Sequence, residues 1–237
     1  MRLSPWGRVV AISALLVVGG AVALAVGAFA SSQPRVVIYP VKGAVAGLTL
    51  DVGDGDVTVI GGGRRDTVEV QRSERYSFGH RPEVEPRVEG ATYLVHARCP
   101  ATLIGPCTVD HRVVVPDNVA LDIRTSGGRV SLRGYRGSAR IVTGSGAIDI
   151  FGYCGNSLDA RAGSGDITVE AACAPPRLSL RSGSGSIDAV LPAGRYDLDV
   201  ESTSGSESVR GLTPRADAPY AVQVLSASGD VSVEGQS

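Results

Sequence analysis

One short pattern recurs seven times along this chain and restricts its fold to a stack of similar coils. Each copy is centred on a glycine: Gly55, Gly128, Gly146, Gly165, Gly185, Gly205 and Gly229. Seven residues before it stand Leu48, Leu121, Ala139, Leu158, Leu178, Leu198 and Val222. Two residues after it stand Val57, Val130, Ile148, Ile167, Ile187, Glu207 and Val231. Positions −5 and +4 are apolar in every copy, so Glu207 alone breaks the pattern. Side chains alternate faces along a strand, and apolar residues two apart therefore share a face. Each copy reads as strand, tight small-residue turn, strand. The turn between −3 and +2 must reverse the alternation, and the Gly-Ser-Gly at 144–146, 163–165 and 183–185 is expected to supply positive φ there. A single copy cannot cover its own apolar face, so stability belongs to the stack.

From Gly128 the copies follow at intervals of 18, 19, 20 and 20 residues. The last interval is 24 because Gly211 to Tyr220 adds a loop with Pro214 and Pro219. Between Gly55 and Gly128 the period fails for 73 residues. Alternation persists there at Thr67–Gln71, Thr92–His96 and Thr108–Val115, which predicts longer strands widening one end of the stack. Ser77–Pro86, with a glycine and two prolines, is expected to be an exposed loop. The fold class is all-β: a single-domain β-solenoid over residues 47–234, followed by a tail at 235–237. An uncovered Val231–Val233 edge would be open to self-association or a partner strand. The preferred reading is that the 211–220 loop, or Val36–Tyr39, folds over an end.

Val9 to Ala30 are 22 residues without a charge, preceded by Arg2 and Arg8. That length spans a bilayer as a helix, and the leading arginines place residues 1–8 inside. The segment is expected to be an uncleaved signal-anchor, with 31–46 as a juxtamembrane linker. The alternative is cleavage after Ala28-Phe29-Ala30, which would secrete the protein. Either way the repeats are extracytoplasmic, where thiols oxidise. Cys154 and Cys173 each lie eight residues past a central glycine, in consecutive coils. Stacked strands lie about 4.8 Å apart, within disulfide range, so they are expected to bridge. Cys99 and Cys107 then pair by elimination. The net charge is −1 with no basic stripe, which argues against nucleic acid as a partner.

The sequence offers several constellations that imitate sites. His96, Cys99, Cys107 and His111 give H-x2-C-x7-C-x3-H, the ligand types of tetrahedral zinc. Strand residues three apart point in opposite directions, so a disulfide with surface histidines is preferred to metal. Gly-Asp motifs at 53–56 and 163–166 imitate calcium-binding solenoids, but the +1 position holds Asp56, Arg129, Ala147, Asp166, Ser186, Ser206 and Asp230, and Arg129 and Ala147 spoil the column. The serines recur as turn formers, and all three histidines precede the regular copies. Asp149 and Asp188 share the outward +3 position with Thr168 between them, which sets them roughly 9.6 Å apart, too far for a usual glycosidase pair. Arg124, Arg161 and Arg181 form an outward column at −4 broken by Val142, expected to be a charge-balanced surface or a contact for anionic envelope polymers.

The segment Thr108 to Leu132, TVDHRVVVPDNVALDIRTSGGRVSL, ends a hydrophobic strand in Val-Pro and continues into Leu-x-Ile-x-Thr-x-Ser-Gly. It resembles the "putative-adhesin" domain family of unknown function, also grouped as toastrack cell-envelope domains. The resemblance covers roughly 47–234. It implies a β-solenoid displayed outside the membrane, with no catalytic motif and no cofactor to carry over. The expected function is a non-enzymatic, membrane-anchored structural or interaction module of the bacterial envelope, meeting envelope proteins or wall polymers. The alternative is an envelope-stress sensory module acting through a partner membrane protein.

Overall fold

A computed structural model describes residues 13–22, 35–43, 45–76, 81–100, 107–117 and 119–236. Residues 13–22 are helical and exposed, and no helix among the described residues is long and apolar enough to cross a membrane. Most of the expected anchor, 9–30, lies outside the described residues. The remaining regular elements are strands. The chain opens with β1 (Arg35–Lys42), β2 (Gly47–Val52), β3 (Val57–Ile60), β4 (Thr67–Tyr76), β5 (Glu83–Glu89), β6 (Thr92–Arg98) and β7 (Cys107–Val114). There follow β8 (Ala120–Thr125), β9 (Val130–Arg133), β10 (Ala139–Thr143), β11 (Ile148–Tyr153), β12 (Ser157–Ala162) and β13 (Ile167–Ala171). The last are β14 (Arg177–Ser182), β15 (Ile187–Pro192), β16 (Arg195–Ser202), β17 (Glu207–Arg210), β18 (Thr213–Pro214), β19 (Ala221–Ser226) and β20 (Val231–Gln236).

Every copy of the repeat is a strand–turn–strand rung, and its two strands enter different sheets. The first sheet runs β18-β16-β19-β14-β12-β10-β8-β2-β6-β5, and the second β1-β4-β7-β3-β9-β11-β13-β15-β20-β17. Within the regular rungs all neighbours are parallel and their inward apolar positions are in register, as Ile123, Ile141, Ala160 and Leu180 show in the first sheet; a bulge shifts the register only at the end of β11, between Phe151 and Tyr153. The −7 and −5 residues of one sheet and the +2 and +4 residues of the other fill the space between, and Leu50, Ile141, Leu158, Val57, Ile148 and Ile150 are completely buried. At the return end of the rungs Tyr135 and Tyr153 plug the core. The Tyr135 hydroxyl donates to the Val119 carbonyl, and that of Tyr153 donates to the Ser157 carbonyl at 2.7 Å with the Gly137 carbonyl 3.0 Å away. Burial pushes both phenols up. Cys154 and Cys173 join adjacent rungs at this end, with Cα atoms 4.9 Å apart.

The turn glycines serve close approach rather than the positive φ expected of them. Gly146, Gly165 and Gly185 do not have positive φ; among the central glycines only Gly55 and Gly229 do. A Cβ on any of the three would overlap the carbonyl of the neighbouring rung's central glycine. The −3 hydroxyls cross the same narrow gap. Ser182 donates to the Gly165 carbonyl at 3.0 Å, Ser226 to Gly185 at 2.9 Å and Ser202 to Gly229 at 2.7 Å.

Those bonds reveal a stacking order that departs from the sequence order. The Gly229 rung lies between the Gly185 and Gly205 rungs: Val231 pairs with Ile187 on one side and Glu207 on the other. Val231–Val233 is therefore internal rather than an open edge, and the edge of the second sheet is β17. The chain steps outward from β15 to β16 through residues 193–194, the 211–220 connection gives it the length to return, and its β18 covers part of β16. Glu207 has a physical reason to be outermost, because between two rungs its carboxylate would be desolvated without a partner.

The other end is built the same way. β6 and β7 form an eighth rung beside the Gly55 rung: Tyr93, Val95 and Ala97 align with Leu48, Leu50 and Val52, and His111 and Val113 with Val57 and Val59. The Cys99–Cys107 disulfide, Cα–Cα 5.8 Å, closes its long turn. Outside it, β5 and β4 pair antiparallel with β6 and β7, and β1 pairs antiparallel with β4. Glu83–Pro86, expected in a loop, thus begins an edge strand, where Pro86 is tolerated. Arg35–Lys42, within the expected linker, is an edge strand of the second sheet, in keeping with the reading of Val36–Tyr39 as a segment that covers an end.

Candidate functional site

The histidine–cysteine constellation does not form a metal centre. Cys99 and Cys107 are bonded to each other and offer no thiolate. His96 lies on the outer face of the first sheet, where its Nδ1 is 3.0 Å from Asp51. His111 occupies the inner +2 position of the eighth rung and is 1% exposed, contrary to its reading as a surface residue. Its Nδ1 donates to the Val109 carbonyl at 3.2 Å, and its buried Nε2 has no partner. Burial pushes this imidazole down to about 4. Among the described residues no group of His, Cys, Asp or Glu is gathered to hold a metal ion.

The aspartates that imitate calcium ligands instead form a backbone ladder. In each rung the +2 amide donates to the +1 carbonyl of the next, as Ile148 does to Asp166 and Ile187 to Asp230, both at 2.9 Å. The +1 amide is left over, and in four rungs an aspartate in the neighbouring rung accepts from it. Asp110 accepts from Asp56 at 3.0 Å, Asp56 from Arg129 at 2.9 Å, Asp166 from Ser186 at 2.8 Å and Asp230 from Ser206 at 2.8 Å. The backbone and hydroxyl donors of Ser206 hold the Asp230 carboxyl below its usual range.

The outer faces carry in-register ion pairs. Asp149 and Asp188 flank Thr168 as expected from the spacing, and Asp149 accepts from Arg129, which raises that guanidinium. On the first sheet Arg124 pairs with Asp122 at 2.7 Å and Arg161 with Asp159 at 3.0 Å. Arg181 departs from this scheme. It donates to the Gln223 amide oxygen, and the Gln223 amide nitrogen donates to Asp199 at 2.7 Å. Here the outer face opens into a trough of about 570 Å³ with Arg161, Arg177 and Arg181 toward one side, Asp197 and Asp199 toward the other, and Ala221 in its floor. The arginine column was legible in the sequence. The gap that separates it from Asp197 and Asp199 was not, because it opens only where the Gly229 rung, with Ala221 and Gln223, stands between the Gly185 and Gly205 rungs.

The outermost rung ends the stack with an acid. The Glu207 carboxylate accepts from the Ser202 backbone amide at 2.7 Å, on the side of β16 away from β19. Beside it Val209 is 41% exposed. Capping an edge amide with a charged side chain discourages further strand pairing.

Eight parallel rungs between two sheets, with antiparallel strands closing one end, define an all-β solenoid whose polar faces are built from repeated positions. The chain belongs to the Toastrack DUF4097 family, whose model matches residues 112–234. Two similar solved structures are a "putative cell adhesion protein" from Clostridium sporogenes and an adhesin of like description from Bacteroides fragilis. The first is 12% identical with a TM-score of 0.52, over 86% of this chain and all of that one. The second is 13% identical with a TM-score of 0.47, over 85% of this chain and 97% of that one. At 12% identity the likeness to the first is one of fold alone. Among curated proteins none matches the sequence.

Proposed function

We propose that this protein is a non-enzymatic, extracytoplasmic interaction module of the cell envelope, anchored through residues 9–30. The observation that carries the reading is the pairing of all four cysteines into two disulfides, each at a turn of a stacked rung. Such bonds persist outside the reducing cytosol. The long uncharged segment and its leading arginines support attachment to the membrane with the stack outside. Family membership and the adhesion-related descriptions of its structural neighbours support an interaction role. The polar faces supply positioned donors and acceptors without a nucleophile–base pair among the groups described above.

The test is mild cross-linking of the intact protein in its own membrane, followed by capture and mass spectrometry. Recovery of envelope proteins or wall polymer in a non-reducible form supports the module. Recovery of one membrane kinase, anti-sigma factor or transporter moves the reading to the sensory alternative. Reduced cysteines in protein taken directly from cells would refute the extracytoplasmic placement.

A further inference from the structure

We propose that the trough on the outer face of the first sheet binds a saccharide unit carrying one carboxylate. This rests on the interaction-module reading and gives it a ligand class. Three positions in register carry the inference. Arg177, Ala221 and Asp197 stand side by side on β14, β19 and β16. The outer two are thus separated by two strand spacings, roughly 9.6 Å, and Ala221 leaves the space between them open. Neither Arg177 nor Asp197 forms an ion pair among the described residues. One row further along, Gln223 is fixed between Arg181 and Asp199, so its amide is already oriented.

A guanidinium fork matches a carboxylate in bidentate geometry. Aspartate oxygens accept from neighbouring hydroxyls, and a pinned amide adds a donor and an acceptor. A sugar acid presents a carboxylate and hydroxyls around one ring, a width that the Ala221 gap admits. Uniform polyanions fit less well, because Asp197 and Asp199 repel charge on the far side.

The experiment titrates the full-length protein in detergent with cellobiouronate and with cellobiose, its uncharged counterpart, by calorimetry. Cellobiouronate should bind at least tenfold more tightly than cellobiose. Arg177→Ala should weaken it about tenfold or more, and Ala221→Arg, which fills the gap from an exposed position, should abolish it. Asp199→Asn separates a built site from general anion attraction: the proposal expects weaker binding, whereas a merely cationic patch would bind more tightly. No binding of cellobiouronate, equal binding of both sugars, an unaffected Ala221→Arg variant or a tighter Asp199→Asn variant would each overturn it. If cross-linked partners are still captured by Ala221→Arg, the module reading stands whatever the sugar result.

Discussion

Glu207 stands where the other copies carry Val or Ile, and the rung that contains it ends the stack. Its bond to the Ser202 amide closes an edge that another strand could extend. Glu207→Val would restore the apolar pattern beside the exposed Val209 and remove the charge, so it is expected to associate with rising concentration. Size-exclusion chromatography with light scattering decides this, and a variant that stays as monodisperse as the parent would refute the role. His111 is the opposite exception, a titratable group inside the core. Its folded value of about 4 lies below the ordinary 6.5, so between these values the unfolded chain binds more protons. Its contribution is complete above pH 6.5 and is lost as pH falls toward 4, at up to about 1.4 kcal/mol per pH unit. His111→Leu should flatten that part of a stability-versus-pH curve, and an unchanged slope would count against a buried neutral imidazole. At Gly165 an added methyl would meet the Gly146 carbonyl, and Gly165→Ala is expected to cost about 3 kcal/mol in denaturant unfolding. The sequence marked Glu207 and Gly165 as special, but not why, because the reason in each case lies in the adjacent rung.

Regular rungs were legible as elements because two apolar pairs flank a turn of constant length, and the constant length keeps every strand in register. The eighth rung was not legible as a copy. Tyr93, Val95, Val113 and Asp110 occupy the same positions as their counterparts in the Gly55 rung, yet eleven residues separate Ala97 from Val109 where two separate Val52 from Gly55. His111 in an apolar position hid it further. The sequence-level signal was present in Thr92–Ala97 and Asp110–Val113, and would have emerged from a search that allowed turn insertions. Disulfides follow the same geometry. Because the two cysteines of the regular stack occupy equivalent positions, the Cys154–Cys173 bond spans one coil and 19 residues of chain. Closing a loop of that length restricts the unfolded chain by about 3 kcal/mol. The double variant Cys154→Ala/Cys173→Ala should lose stability of that order in equilibrium unfolding while keeping its far-ultraviolet spectrum. A loss of only a few tenths would mean that the packed tyrosines and paired strands already hold the return end.

At the scale of the molecule, a parallel stack can fray only from its ends, and this chain places neither its first nor its last repeat copy there. The Gly55 rung is covered by β6 and β7, and the Gly229 rung by β16 and β17. Exposed rungs therefore come from the middle of the sequence and are tethered on both sides. Stacking order was the part of the fold that the sequence concealed, since a linear repeat implies neighbours in chain order and only the longer 211–220 connection hinted otherwise. The arrangement has a consequence for cooperativity. β16 and β17 do not pair with β14 and β15; they reach the stack only through β19 and β20. Removing residues 220–237 should therefore release the 195–210 rung as well, although its own sequence is intact. Hydrogen exchange of the truncated chain is expected to show 195–210 exchanging as an unstructured segment, with the rungs between Leu121 and Pro192 still protected. In the full-length protein the order should be graded. Amides of 207–210 should exchange before those of 231–234, because one flank of β17 is open and both flanks of β20 are paired. Protection of 195–210 that survives the truncation would mean that this rung can dock directly on the Gly185 rung, and that the inserted last copy is not what holds the end of the stack.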